Sequence, residues 1–131
     1  MKIGYTQGTY DLCHIGHVNL LKHAKEKCDY LIVGVNSDKL VKEYKNKTPL
    51  ISEEARKAII EELKPVDEVV LCNTLDKVAA LQAHHFDVVF IGDDWKGNER
   101  WKQTEEELAK YGVSVEYLPY TKGVSSTLLR E

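Results

Sequence analysis

Apolar residues along the chain fall into short runs that alternate with stretches of helical periodicity. Five runs have the length and the apolar content of strands: residues 3–6, 30–35, 68–72, 88–91 and 114–118. The run at 30–35 is apolar throughout, which is typical of a strand buried on both faces of a sheet. Because helical stretches separate the runs, the pattern predicts strand-helix-strand units, which are parallel and right-handed.

Amphipathic helices are predicted between these runs. The first follows Gly16, and the second begins after Ser52, which can cap it. Their apolar faces are predicted to hold Val18, Leu21 and Ala24 in the first, and Ala55, Ile59, Ile60 and Leu63 in the second. A third helix would start at residue 73 or 74 and close near residues 84–85. A fourth would run from about 99 to 111, before a left-handed Gly112, and a short helix would end the chain.

This alternation predicts the α/β class. We expect a Rossmann-like, mostly parallel five-stranded sheet in the order 3-2-1-4-5, with helices on both faces. The switch point of such a sheet lies between the first and fourth strands, and ligands bind there, beyond the carboxyl ends of the strands. No repeat or linker interrupts the pattern, so residues 1–131 are expected to form one domain.

Composition narrows the possible functions. The chain has 131 residues, of which 43% are hydrophobic, and its formal net charge is −3. This charge gives no global basic field, so a polymeric nucleic-acid partner is not expected. The three cysteines show neither disulfide nor zinc spacing, and no apolar run approaches the roughly 18 residues that cross a membrane. We expect a cytoplasmic protein without a membrane partner.

The stretch Gly8–His17, GTYDLCHIGH, follows the first strand and opens the first helix. Backbone amides at such a helix start make a site for a phosphate group. His14 and His17 lie three residues apart, so both imidazoles can donate hydrogen bonds to one anion. The alternative is that they only cap a turn or bind a metal. Two further segments are expected at the same cleft: the Asp93-Asp94-Trp95 loop, and Ser125, Ser126 and Thr127, whose hydroxyls could bind phosphate or cap a helix.

The Gly8–His17 segment resembles the HxGH signature of the nucleotidylyltransferase superfamily, in the form found in cytidylyltransferases. Only Tyr10 and Cys13 depart from that form. The sequence GDDW at 92–95 matches a cytidylyltransferase loop, and YTKGVSST at 120–127 resembles the closing motif of that family. Nearly the whole chain is thus similar to small cytidylyltransferases of the type that uses glycerol 3-phosphate.

The resemblance implies catalytic roles for His14, His17, Lys45 and Lys47, although the lysine stretch alone would be a solvated face or loop. The expected binding residues are Gly8, Thr9, Tyr10, Asp11, Arg56, Lys64, Gly92, Asp93, Asp94, Trp95, Thr121, Gly123, Ser125, Ser126 and Thr127. Two positions depart from the family, because Tyr120 and Lys64 stand where it has arginine. Lysine is not equivalent to arginine for phosphate binding, and tyrosine brings no charge. Lys122 is a partial substitute for the missing charge.

The reaction implied by the resemblance is transfer of CMP from CTP to a small phosphorylated alcohol with release of pyrophosphate, which gives a CDP-activated precursor. Glycerol 3-phosphate is the leading acceptor, followed by phosphocholine, phosphoethanolamine or another polyol or sugar phosphate. Mg²⁺ would bridge the phosphates, and Asp11 would orient the site or its metal, or serve as a structural turn residue. The resemblance also implies a homodimer, with Trp101 or the first helix at its interface; Trp101 is otherwise a core residue.

Three alternatives stay open at this point. Val35-Asn36-Ser37-Asp38 resembles the ADP-heptose synthase branch, so an adenylyltransferase acting on a sugar phosphate is one. A nucleotide-binding regulatory module without catalysis is another, although the intact histidine pair argues against it. The third is a zinc protein built on His14 and His17, with Cys13 adjacent.

Overall fold

The predicted strands and their order are confirmed in the computed structural model, which describes residues 1–119 apart from the side chain of Asp94. The strands are β1 (Ile3–Gly8), β2 (Tyr30–Asn36), β3 (Glu68–Cys72), β4 (Val88–Gly92) and β5 (Ser114–Leu118). They form one sheet in the order β3-β2-β1-β4-β5. Every neighbouring pair is parallel, so the sheet is fully rather than mostly parallel. The expected terminal helix lies outside the described residues.

Helices cover both faces of the sheet, as predicted: α1 (Ile15–Glu26), α2 (Asp38–Lys45), α3 (Glu53–Glu61), α4 (Lys77–His84) and α5 (Glu99–Ala109). On one face, α1 and α3 bury Leu21, Ala24 and Ile60 against side chains of β2 and β4. On the other face, α4 and α5 pack against Tyr5 and Val89. Trp101 belongs to this second core and is 4% exposed. It is therefore a core residue, which is one of the two alternatives that the sequence left open.

Three helix predictions need correction. Residues 38–45 form α2, because Ser37 caps it and Leu40 and Val41 are buried; of the two alternatives for the lysine stretch, a solvated face or a loop, the loop is wrong for these residues. The helix α4 starts after Asp76, whose carboxylate accepts the amides of residues 78 and 79. In α3 the Ser52 cap is confirmed, but the apolar stripe is wrong: Ala55 and Ile59 are exposed, and Arg56 is buried beside Ile60.

Three aspartates hydrogen-bond to backbone N–H groups at the amino edge of the sheet. Asp29, Asp67 and Asp87 each stand within one residue of the start of a strand. Their carboxylates accept the backbone N–H groups of Lys2, Leu31 and Ile3, at 2.7, 2.8 and 2.8 Å respectively. Each bond ties the entry of one strand to a neighbouring segment, because the first N–H groups at a sheet edge would otherwise lack a partner. The edge opposite to the histidine motif is therefore closed by side chains.

The carboxyl edge opens at the predicted switch point. β1 pairs with β2 along all six residues from Ile3 to Gly8, but with β4 at Gly4 and Tyr5 alone. Beyond Tyr5 no ladder pairing joins β1 to β4, so their carboxyl ends, at Gly8 and Gly92, flank the switch point, where open sheets of this order hold a ligand crevice. Within residues 1–119, no helix is long and apolar enough to cross a membrane.

Candidate active site

The loop that joins β1 to α1 has an unusual backbone. Tyr10 and Leu12 have φ angles of 55° and 54°, in the left-handed region that side chains other than glycine rarely adopt. Tyr10 is 5% exposed, and its ring lies edge-on to that of His17 at a centroid distance of 5.2 Å. The expected role of Tyr10 as a binding side chain is therefore corrected: it supports His17 from the core. Gly8 is needed there, because a Cβ would lie 3.1 Å from the Tyr10 ring.

His14 and His17 cap α1 reciprocally. The N–H of Gly16 donates to Nδ1 of His14 at 3.1 Å, and the backbone N–H of His14 donates to Nδ1 of His17 at 3.2 Å. Because both Nδ1 atoms accept, both neutral rings carry their proton on Nε2. In the described part of the chain, no group accepts a hydrogen bond from the buried Nε2 of His14. The cap and the anion site are thus compatible, since capping uses Nδ1 and leaves Nε2 for a ligand.

Burial keeps these imidazoles neutral. It lowers the pKa of His14 below its usual range. For His17, burial and then the charge of His14 lower the pKa to about 4. A neutral imidazole still donates from Nε2, so the pair can stabilise an anion without binding an additional proton. It would do so with charge-neutral donors held in place by the helix cap.

Asp11 serves the loop that follows α2. It is 4% exposed, and its two carboxylate oxygens accept the N–H groups of Leu50 and Ile51, both at 3.0 Å. This arrangement favours the structural alternative for Asp11 over a metal-orienting role. It also fixes the far end of the segment that carries Lys45 and Lys47 to the histidine motif.

Arg56 is fully buried, and its guanidinium makes its hydrogen bonds within the protein. Its guanidinium donates to the carbonyl oxygens of Thr9 and Asn36, both at 2.7 Å, and to that of Ile51 at 2.9 Å. It also pairs with Asp38 at 2.5 Å. The expected contact of Arg56 with a ligand is therefore corrected. It joins the motif loop, the end of β2 and the start of α3, and it acts on a ligand only through them.

Lys45 reaches the motif directly. Its Nζ lies 3.5 Å from Oγ1 of Thr9, and the preceding Tyr44 hydroxyl lies 2.9 Å from the same oxygen. Lys45 ends α2 and Asn46 caps it in the left-handed conformation, so the exposed Lys47 follows an ordered helix end. The stretch from Lys45 to Leu50 is anchored to the motif at both ends, through Thr9 and through Asp11.

The Gly92–Trp95 loop follows β4 at the carboxyl edge of the sheet. Gly92 ends β4 across the crevice from the motif, and residues 93–95 form a turn of 3-10 helix. Asp93 is exposed, and Trp95 is 41% exposed with the Arg100 guanidinium 5.9 Å from its ring centroid. An aromatic face and a carboxylate at this edge can contact a base or a sugar.

Other expected residues are not brought to the crevice. Lys64 precedes β3 at the amino edge of the sheet, beside Lys22 and Lys25 of α1. The prediction that Lys64 contacts a ligand in the crevice of the same chain is therefore corrected. The remaining expected residues, Thr121, Gly123, Ser125, Ser126 and Thr127, lie outside the described residues, together with Tyr120 and Lys122.

Lys77 is a cation that the sequence analysis missed. It is 8% exposed, in a groove between α4 and α5 that Arg100, Trp101 and Thr104 also line. Burial, followed by the charge of Arg100, lowers its pKa to about 8. Lys77 Nζ donates to the carbonyl oxygen of Leu75 at 2.9 Å and lies 5.4 Å from the centroid of the Trp101 ring. Lys77 is the first residue of α4, whereas the sequence predicted a helix start at residue 73 or 74, so no signal in the sequence pointed to it.

Resident metal ligands are not apparent at this site. Among residues 1–119, no group of three or more His, Cys, Asp or Glu side chains is arranged to hold an ion. The zinc alternative, built on His14, His17 and Cys13, therefore lacks a ligand set in the described part of the chain.

The sheet order, the switch-point crevice and the histidine pair define a class of nucleotide-transferring proteins, and comparison with known sequences identifies it. The profile of the family described as "Cytidylyltransferase-like" matches residues 5–131. The chain belongs to this family of nucleotidyltransferases.

Among particular proteins, the chain is 40% identical to the glycerol-3-phosphate cytidylyltransferase of Bacillus spizizenii, over 100% of this chain and 96% of that protein. It is also 40% identical to a FAD synthase of Ferroglobus placidus, over 88% of this chain and 74% of that protein. A solved structure titled as the lipopolysaccharide core biosynthesis protein of Thermoplasma volcanium is similar at a TM-score of 0.77 and 29% identity, over 95% of this chain and 99% of that one.

Proposed function

We propose that this chain is a cytidylyltransferase that transfers CMP from CTP to a small phosphorylated alcohol, with glycerol 3-phosphate as the first choice. The observation that carries the proposal is the Nε2 of His14, which is held by a helix cap at the switch point and has no hydrogen-bond partner within residues 1–119. The similarity to glycerol-3-phosphate cytidylyltransferase along the whole chain supports both the nucleotide and the acceptor.

In this reaction an oxygen of the acceptor phosphate attacks the α-phosphorus of CTP, the bond from that phosphorus to the β-phosphate oxygen breaks, and pyrophosphate leaves. The protein contributes position and charge stabilisation, since phosphoryl chemistry needs little covalent help. His14 and His17 donate from Nε2 to the oxygens on which charge builds up. Lys45 and Lys47 neutralise phosphate charge from the other side of the motif.

The acceptor needs a cation of its own, and we assign Lys77 and Arg100 to that role. Both line the groove between α4 and α5. Because the pKa of Lys77 is lowered to about 8, its ammonium group stays largely charged at pH 7 and gains from an anionic partner. This assignment predicts that Lys77→Met raises the KM of the acceptor and leaves that of CTP unchanged.

Mg²⁺ would enter this scheme with the nucleotide, bound through phosphate oxygens, as is usual for this ion. The described residues offer no dedicated ligand set for it. We further propose that residues 1–131 act as one nucleotidyltransferase domain in the cytoplasm, and that two copies form a homodimer. A groove along α1 supports the dimer, since Val18, Leu63 and Pro65 are bordered there by charged residues.

One other function is supported by a specific observation. The FAD synthase matches as well in identity as the glycerol-3-phosphate enzyme, and its name implies an adenine nucleotide. Adenylyl transfer to a sugar phosphate, or to another phosphorylated acceptor, is therefore the second candidate. Phosphocholine and phosphoethanolamine are further acceptors for the first.

The decisive experiment measures pyrophosphate release by the purified protein with Mg²⁺. CTP and ATP are each combined with glycerol 3-phosphate, phosphocholine, phosphoethanolamine and a sugar phosphate. Release that requires CTP and glycerol 3-phosphate together supports the proposal, and preference for ATP selects the second candidate. Binding of CTP without pyrophosphate release from any combination would identify a regulatory module instead.

A further inference from the structure

Tyr44 lies in a polar cluster beside the histidine motif that neither the sequence nor the proposed chemistry explains. Its hydroxyl lies 2.9 Å from Oγ1 of Thr9 and 3.1 Å from Nδ2 of Asn36. The same Nδ2 lies 3.3 Å from Oγ1 of Thr9, and Nζ of Lys45 lies 3.5 Å from that Thr9 oxygen. Tyr44 is 38% exposed, whereas Asn36 is 3% exposed. The two hydroxyls therefore sit on a buried amide and face outward.

The orientation of the Asn36 amide follows from a backbone carbonyl. Gln7 must direct its NH₂ group to the carbonyl of Thr74, which can only accept, at 2.9 Å. The same NH₂ group then donates to Oδ1 of Asn36 at 2.8 Å. Because Oδ1 of Asn36 faces Gln7, its Nδ2 faces the hydroxyls and donates one hydrogen to each of them.

This arrangement leaves the cluster with more donors than acceptors. Thr9 and Tyr44 both accept from Asn36, and one of the two hydroxyls gives its proton to the other. Within residues 1–119, the proton of the second hydroxyl then has no acceptor, and the adjacent ammonium group of Lys45 is also only a donor. A site with surplus donors and a cation binds an anionic oxygen, because such hydrogen bonds are charge-assisted.

We propose that Tyr44 is a substrate-binding residue, whose hydroxyl donates to a phosphate oxygen of the substrates beside Lys45. The inference rests on the proposed function and deepens it. When the anion is present, the Tyr44 hydroxyl donates to it, and Thr9 donates to Tyr44. The oxygen belongs to the triphosphate of the nucleotide or to the phosphate of the acceptor, and both offer the same chemistry.

The test compares Tyr44→Phe, which removes only the hydroxyl, with Tyr30→Phe as the matched control. Tyr30 also loses a side-chain hydrogen bond, to Glu68 at 2.8 Å, but at the amino edge of the sheet. KM and kcat are measured for CTP and for glycerol 3-phosphate, together with Tm. Loss of a hydrogen bond to a charged group predicts a rise in one KM of about 10- to 100-fold. Tm should change little, and the control should match the unsubstituted protein.

Each outcome decides the inference. A rise in the KM of CTP assigns the oxygen to the nucleotide, and a rise in the KM of glycerol 3-phosphate assigns it to the acceptor. Unchanged KM values, or a fall in kcat and Tm with both KM values unaltered, would overturn it. If the unsubstituted protein shows no turnover, the proposed function fails. Calorimetric titration of CTP and of glycerol 3-phosphate into the protein and into Tyr44→Phe then decides the inference, and equal binding or no binding overturns it.

Discussion

The imidazole rings of His14 and His17 stack with their centroids 3.9 Å apart and their planes inclined by 22°. Both Nδ1 atoms are held by backbone N–H groups, so the rings cannot rotate without breaking the cap of α1. The position of each Nε2 donor is therefore set before a ligand arrives. Preorganised donors of this kind stabilise charge that develops in a transition state.

Replacement of either histidine by alanine should lower kcat by about 10²- to 10³-fold, the usual effect of removing one preorganised donor. The loss of a cap should cost only about 1 kcal/mol of unfolding free energy. Steady-state kinetics and chemical denaturation of both variants measure the two effects. His85→Ala, at the end of α4, is the control. Near-normal turnover in both motif variants would exclude the assigned role.

The pKa of His17 predicts how stability depends on pH. The unfolded chain binds a proton on this residue near pH 6.5, whereas the folded protein binds it only near pH 4. Between these values the unfolded state holds more protons, so the unfolding free energy should fall as the pH falls from about 6.5 to 4. His17→Gln should show a shallower decline in urea titrations across this range. Parallel curves for the two proteins would contradict the neutral, buried imidazole.

Lys45 and Lys47 should differ from Lys39, although all three lie in one lysine-rich stretch. Lys45→Ala and Lys47→Ala should each lower kcat/KM for CTP about 10- to 100-fold, if they neutralise phosphate charge. Lys39→Ala should change it less than about twofold, because an isolated exposed lysine contributes little. Equal and small effects at all three positions would show that the stretch is only a solvated surface and does not bind phosphate.

Arg56 should matter for stability as well as for activity. Arg56→Met leaves the carbonyls of Thr9, Asn36 and Ile51 without their donor, so it should lower the unfolding free energy by about 3–5 kcal/mol. Lys57→Met, at the next position, should stay within about 0.5 kcal/mol. Chemical denaturation checks both values. A ligand-only role would instead leave the stability of Arg56→Met unchanged while KM rises.

The proposed homodimer can be checked directly by light scattering at micromolar concentration. The mass should be about twice the 15.0 kDa of one chain. Leu63→Glu, which places a charge in the groove along α1, should shift the mass towards the monomer, whereas Ile59→Glu on the exposed outer face of α3 should not. A mass near 15.0 kDa for the unsubstituted protein would contradict the dimer.

The sheet was predictable because each of its strands corresponds to an apolar run that is local in the sequence. The five strands and their order agree with the expectation, since a parallel sheet buries whole runs and short connections limit the topology. The helix α2 was not predictable in the same way. Only Leu40 and Val41 of its eight residues are buried, and the lysines around them are equally typical of a solvated helix face and of a loop.

The residues of the candidate site also differ in how far the sequence predicted their positions. The motif itself indicates where His14 and His17 lie, because three residues across a helix start place both rings together. The burial of Arg56 and Tyr10 could not be predicted from the sequence. Arg56 is held inward by partners distant in the chain, and Tyr10 has an unusual backbone angle. Lys64 was assigned to the ligand by family resemblance alone, although its position before the predicted strand at 68–72 already places it at the amino edge of the sheet.

The sequence by itself determined the strand-helix alternation, the parallel sheet, the position of the histidine turn and the family resemblance, because each depends on residues close together along the chain. Only the tertiary structure decided which polar groups are consumed by the fold and which remain for a ligand. Arg56 and Asp11 are consumed, whereas the Nε2 of His14 and one hydroxyl proton of the Thr9–Tyr44 pair have no acceptor within the described residues. The reason is physical: a hydrogen bond is satisfied by whichever group folding brings within about 3 Å, and such partners lie anywhere in the chain.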